Sequence, residues 1–168
     1  MDDMLKRVRN DPEGVLNALF IESFGPVDRN LVLEKLDKVL DKAEEIQVVM
    51  DEDADSIGFA KYISGEDAIH MTHRIRELDD DANLKSIILH ELTHAILDTI
   101  DYEDNHDYVP AYDDDINLEE MSAEEKMEMD RNMMAEHILK NQDSQEVLQY
   151  SINYEKLLYD YLVLISIT

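Results

Sequence analysis

The sequence predicts an α+β fold: a small, mainly antiparallel sheet packed on one helix, with further helices before and after it. Three observations carry this. Glycine and proline together number only seven in 168 residues, so most of the chain can run as helix. The apolar period shortens to two between residues 46 and 73. A capped helical segment over about 82–98 follows that stretch directly. The length fits one domain spanning 1–168, with a core over about 46–140 and helical extensions on either side.

Taken in order, Asp11-Pro12-Glu13 is a helix start with proline at the first position, and a short helix runs to about Ser23 before Gly25-Pro26 breaks it. Asp28 caps an amphipathic helix carrying Leu31, Leu36, Val39, Leu40 and Ala43 on one side. Ile46 to Met50 is β-rich. Ile57, Phe59, Lys61 and Ile63 alternate with Gly58, Ala60 and Tyr62, Ser64-Gly65-Glu66-Asp67 reads as a turn, and Ala68 to His73 forms the returning strand. Asp79-Asp80-Asp81 caps the next helix, on which Leu84, Ile88, Leu92, Ala95 and Ile96 form the expected core stripe. Residues 100–120 are acidic and read as a long loop. Ser122-Ala123-Glu124-Glu125 is a capping box that opens a helix to about Lys140, and a last helix begins near Asp143.

Composition narrows the chemistry. Without cysteine there are no disulfides, zinc ribbons or thiol nucleophiles, so any metal must be held by His, Asp or Glu. The opening residues show neither an apolar run nor a basic leader, and no apolar stretch is long enough to span a bilayer. A soluble, cytoplasmic protein is the expectation. The formal net charge of −26 opposes direct binding to nucleic acid or anionic membrane and favours cations or basic partners. Oligomeric state is not legible. Asp51 to Ser56 alternates acids as a calcium loop does, but it lacks the glycine and the closing glutamate of one.

The informative motif is His90-Glu91-Leu92-Thr93-His94. Four-residue spacing on a helix stacks two imidazoles one turn apart, so both can reach one ion. Glu91 is rotated about a quarter turn from His90, where it can act as a general base on water without being a ligand. A third protein ligand should follow from a later element, and a helix holds one more firmly than a loop. Glu128 and Glu125, on one face of the helix after the capping box, both fit. Tyr102, Tyr108, Tyr112, His106, His137, His70 and His73 are the available donors for a developing oxyanion, with none singled out.

The run Ile87 to Ala95 resembles the motif helix of the ImmA/IrrE-type small zinc metallopeptidases, and Glu128 to Leu139 is similar to that family's second signature. The likeness covers roughly Ile46 to Lys140, and related minimal gluzincins share the same plan. It implies a zincin-like fold, Zn2+ held by His90, His94 and Glu128, and Asn132 supporting the site one turn later. Ile69-His70-Met71-Thr72 is similar to the family's edge strand, where an extended substrate pairs by its main chain. Thr93 in place of glycine, Arg131 in place of a small residue and the acidic loop depart from the pattern.

The expected function is zinc-dependent hydrolysis of peptide bonds in a narrow protein or peptide substrate with basic character, and Glu91 is the catalytic residue. The alternative from another class is an acidic protein-binding domain or nucleic-acid-mimicking inhibitor on the same scaffold, with a non-catalytic metal site.

Overall fold

The computed structural model describes residues 1–10, 14, 16–51 and 58–167. The helix start at Asp11-Pro12-Glu13 and nearly all of the aspartate-alternating run 51–56 lie outside these residues. Seven helices and a three-stranded sheet are present among the described residues, so the class is α+β.

Helix α1 (Asp2–Asn10) adds to the expected elements: Met4, Leu5 and Val8 make one apolar face, and all three are buried. Helix α2 (Leu16–Phe24) stops at Gly25, whose φ of +66° suits a residue without a side chain. In α3 (Arg29–Lys42) the Asp28 carboxylate accepts the Asn30 amide at 2.9 Å, and Val32, Leu33, Leu36 and Val39 are buried. Strands β1 (Gln47–Met50), β2 (Ala60–Ile63) and β3 (Ala68–Met71) follow, then α4 (Asp81–Leu97), α5 (Ala123–Asn141), α6 (Ser144–Val147) and α7 (Ser151–Ser166). The capping box forms: the Glu125 amide donates to Ser122 Oγ at 3.1 Å, and the Ser122 amide to Glu125 Oε1 at 3.3 Å.

The sheet corrects two expectations. Its order is β1-β3-β2, with Tyr62 opposite Ile69 in an antiparallel pair and Val48 opposite Ile69 in a parallel one, so it is mixed rather than mainly antiparallel. The β2–β3 hairpin folds as the turn residues require, which leaves β1 to pair on the far side of β3, running the same way. Consequently β3 is the central strand, and β1 and β2 are the edges. Burial agrees: Ala68, Ile69 and Met71 are buried, whereas every residue of β1 is exposed.

Helix α4 lies between this sheet and α7 and also contacts α3. Its expected stripe of Leu84, Ile88, Leu92, Ala95 and Ile96 is only half-buried, and several of its most buried residues are polar, because the elements packed on it also cover the faces carrying Asn83, Ser86, Glu91 and Thr93. The central apolar cluster draws Met4, Phe24, Leu36, Tyr154, Leu157 and Tyr161 from α1, α2, α3 and α7. The helices flanking residues 46–140 therefore build the core. No helix among the described residues is long and apolar enough to cross a membrane.

Candidate metal centre

Helix α4 starts where the Asp80 carboxylate accepts the Asn83 amide at 2.9 Å, and it carries His90 and His94 one turn apart with ring centroids 4.8 Å from each other. It ends at Asp98, which takes a left-handed φ of +55° and returns its amide to the Thr93 carbonyl. That turn reverses the chain across the end of the helix. The Thr99 carbonyl then accepts His94 Nδ1 at 2.7 Å, and the Thr99 hydroxyl donates to Thr93 Oγ1 at 2.9 Å. Two residues further on, Asp101 Oδ1 stands 2.9 Å from His90 Nε2 and 3.1 Å from His94 Nε2.

A short parallel bridge holds this segment. The Ile100 amide donates to the Gln149 carbonyl at 2.8 Å and the Ser151 amide to the Ile100 carbonyl at 3.2 Å. The bridge brings the start of α7 against the end of α4. Glu155, one turn along α7, sets Oε1 2.9 Å from His90 Nδ1, at ion-pair distance though off the ideal N–H line. With Thr99 and Glu155 engaging the two Nδ1 atoms, both Nε2 atoms are turned to one point, the orientation a metal-binding imidazole needs. Glu91 is buried; its Oε2 accepts the Tyr62 amide of β2 at 2.8 Å, and its carboxylate lies within 4.8 Å of both imidazoles' ligand atoms.

The electrostatics follow from burial and pairing. Burial pushes His90 down, but Asp101 and Glu155 outweigh it and raise it to about 10. Burial pushes Glu155 up, yet Arg131 and His90 hold it down at about 2. Burial raises the Glu91 carboxyl above its ordinary value, against the pull of His90. Asp101 is driven well below the carboxylate range by both histidines, despite a burial effect in the other direction.

Glu128, the expected third ligand, is placed elsewhere. Its Oε1 accepts the Asn83 side-chain amide at 3.2 Å; Asn83 Oδ1 accepts Arg131 at 3.0 Å; Arg131 pairs with Glu155 at 2.5 Å. It is thus the far end of a polar chain that reaches His90 only through three other side chains, because the α5 turn carrying it faces the first turn of α4 rather than the fourth. Glu125 is used in the capping box. The carboxylate beside both imidazoles is that of Asp101. Arg131, read as a departure from the family pattern, is 2% exposed and sits over the Tyr159 ring at 4.4 Å. Local spacing carries no sign of Asp101, Ser151 or Glu155; a β-branched pair, Thr99-Ile100, just after a helix end was the one available hint of a bridge.

The other sequence candidates disperse. Tyr102, His106, Tyr108, His137 and Tyr150 form an aromatic cluster, with Tyr102 stacked on His106 at 4.2 Å, which anchors the acidic segment. Tyr112 donates to Asp130 at 2.6 Å. His70 lies between Asp51 and Glu66, and His73 is exposed. The loop itself contains two short 3-10 turns, Tyr102–Asp104 and Leu118–Glu120.

Two hollows, of about 470 and 360 Å³, share Ala60, Glu91 and Asp101 in their walls. The larger is lined by Phe59, Met127, Met134 and Ile152 with Arg74 and Lys126, the smaller by Lys61, Tyr62 and Asp104. Together they flank the site along β2. Comparison with protein families, curated proteins and solved structures finds no match to this chain.

Proposed function

We propose that this chain is a zinc-dependent peptidase of zincin-like plan, with the ion held by His90, His94 and Asp101 and with Glu91 as general base. The observation that carries this reading is the convergence of two Nε2 atoms and Asp101 Oδ1, within 2.9–3.1 Å, beside a buried glutamate that is not itself tied to them. The donor set fits the ion: two imidazoles oriented through Nδ1 and one carboxylate leave room in a four-coordinate shell. Zinc bound there would supply a Lewis acid and a water of lowered pKa. Glu91, with its proton affinity raised by burial, is suited to take a proton from water and return it to the leaving amine. The Tyr62 amide fixes its carboxylate against β2. An extended peptide would lie along the β2 edge, with side chains in the two hollows, so β2 takes the part that the resemblance implied for β3. Basic segments are the proposed substrates, from the net charge of −26. Unaltered substrate preference after Asp113, Asp114 and Asp115 are changed to Asn would remove that part.

Elemental mass spectrometry of the purified protein is the direct test. About one zinc per chain, lost in His90→Ala and Asp101→Ala and kept in Glu91→Gln, supports the site. Glu91→Gln should also abolish cleavage of a peptide library read by its new termini. No metal binding after reconstitution would instead favour the acidic binding-protein reading, in which competition with DNA for a basic partner is unaffected by Glu91→Gln.

A further inference from the structure

Ser151 is the first residue of α7 and is fully buried. Its hydroxyl oxygen lies 3.2 Å from His90 Nε2, 3.3 Å from His94 Nε2 and 3.3 Å from Asp101 Oδ1. With the two imidazole–Asp101 separations of 2.9 and 3.1 Å, these give five of the six edges of a tetrahedron of donor atoms. Zinc bonds of roughly 2.0–2.1 Å in a regular tetrahedron require donors about 3.3 Å apart. Ser151 Oγ therefore stands at the corner that a three-ligand catalytic site keeps open. It does not drift there: its own amide and Oγ both engage the Ile100 carbonyl at 3.2 Å, so the bridge that delivers Asp101 delivers Ser151 with it. A proton pointing at Ile100 O leaves the hydroxyl lone pairs free to face the imidazoles.

We propose that Ser151 supplies a fourth donor to an ion held by His90, His94 and Asp101, so that the resting site is a closed shell of two nitrogens and two oxygens. The inference rests on the metal-site reading above and adds to it that an outside ligand, including the water needed for hydrolysis, enters by displacing the Ser151 hydroxyl. A chain built this way would be slow on generic peptides until a substrate or partner draws residues 149–151 from the helix end.

The test uses the full-length protein loaded with Co2+, whose visible absorption reports its coordination. Azide, a small ligand for an open position, must displace Ser151 in the wild type, so it should shift the Ser151→Ala spectrum in a saturable way at concentrations at least about tenfold below any that shift the wild type. Co2+ affinity should fall by no more than about tenfold in Ser151→Ala, since water replaces a neutral donor. Ser151→Cys should add an intense near-ultraviolet sulfur-to-cobalt band, which appears only if this side chain reaches the ion. Equal azide shifts in wild type and Ser151→Ala, or a Ser151→Cys protein that binds Co2+ without that band, would overturn the proposal while leaving the three-ligand site standing. Failure of the wild type to bind Co2+ at all would overturn both.

Discussion

Asp101 and Glu128 differ in what the backbone does for them, and substitution should separate them. Glu128→Ala should leave zinc content near one per chain, whereas Asp101→Asn should lower affinity by more than the ~10–100-fold typical of an outer partner. Glu155→Gln should fall within that range, measured by competition with a chromophoric chelator. The same residues set a pH dependence in the metal-free protein. His90 is raised to about 10 by Asp101 and Glu155, above its ordinary value near 6.5. The folded state thus binds a proton more tightly than the unfolded one, so this contribution is complete below pH about 6.5 and is lost as pH rises towards 10. Thermal midpoints of chelator-treated protein should decline over that window, and His90→Gln should flatten the decline. An unchanged slope in the variant would assign it to other groups.

At the scale of elements, the motif helix was legible and its surroundings were not. His90, Glu91 and His94 are fixed by helical spacing alone, and the Ser122 cap and the hairpin turn at 64–67 follow from local chemistry. The placement of Asp101, the proposed third donor, depends on a left-handed residue at Asp98 and on a bridge between segments 50 residues apart, neither of which leaves a periodic trace. The parallel pairing of β1 was hidden for the same reason: strand pattern reveals faces, not partners. The polar chain linking α4, α5 and α7 should also be energetically visible. Arg131→Met strands the buried Glu155 carboxylate and should cost about 3–5 kcal/mol in urea unfolding, while the double variant with Glu155→Leu should recover much of it. Additive losses would show that the pair is not coupled.

For the molecule as a whole, 41 acidic against 15 basic residues means that folding gathers like charge. Screening should relieve this, so the thermal midpoint should rise between ~0.05 and ~0.5 M NaCl as the Debye length shrinks from about 14 Å to about 4 Å. A midpoint insensitive to salt would indicate that the surface acids are too dispersed to strain the fold. The helices outside residues 46–140 supply most of the buried apolar side chains, and α7 contributes Glu155 and Ser151 to the site. A fragment matched to the motif region alone is therefore expected neither to fold nor to hold an ion.

The bridge between Ile100 and Tyr150 also bears on how the protein is made. Chains leave the ribosome from the N-terminus at about 5–20 residues per second. When His90 and His94 emerge, the segment that presses Asp101 into place and orients His90 has yet to be synthesised. An ion meeting this nascent chain finds two histidines and no finished pocket. On the metal-site proposal, an ion would therefore load only once the segment carrying Ser151 and Glu155 has packed against α4.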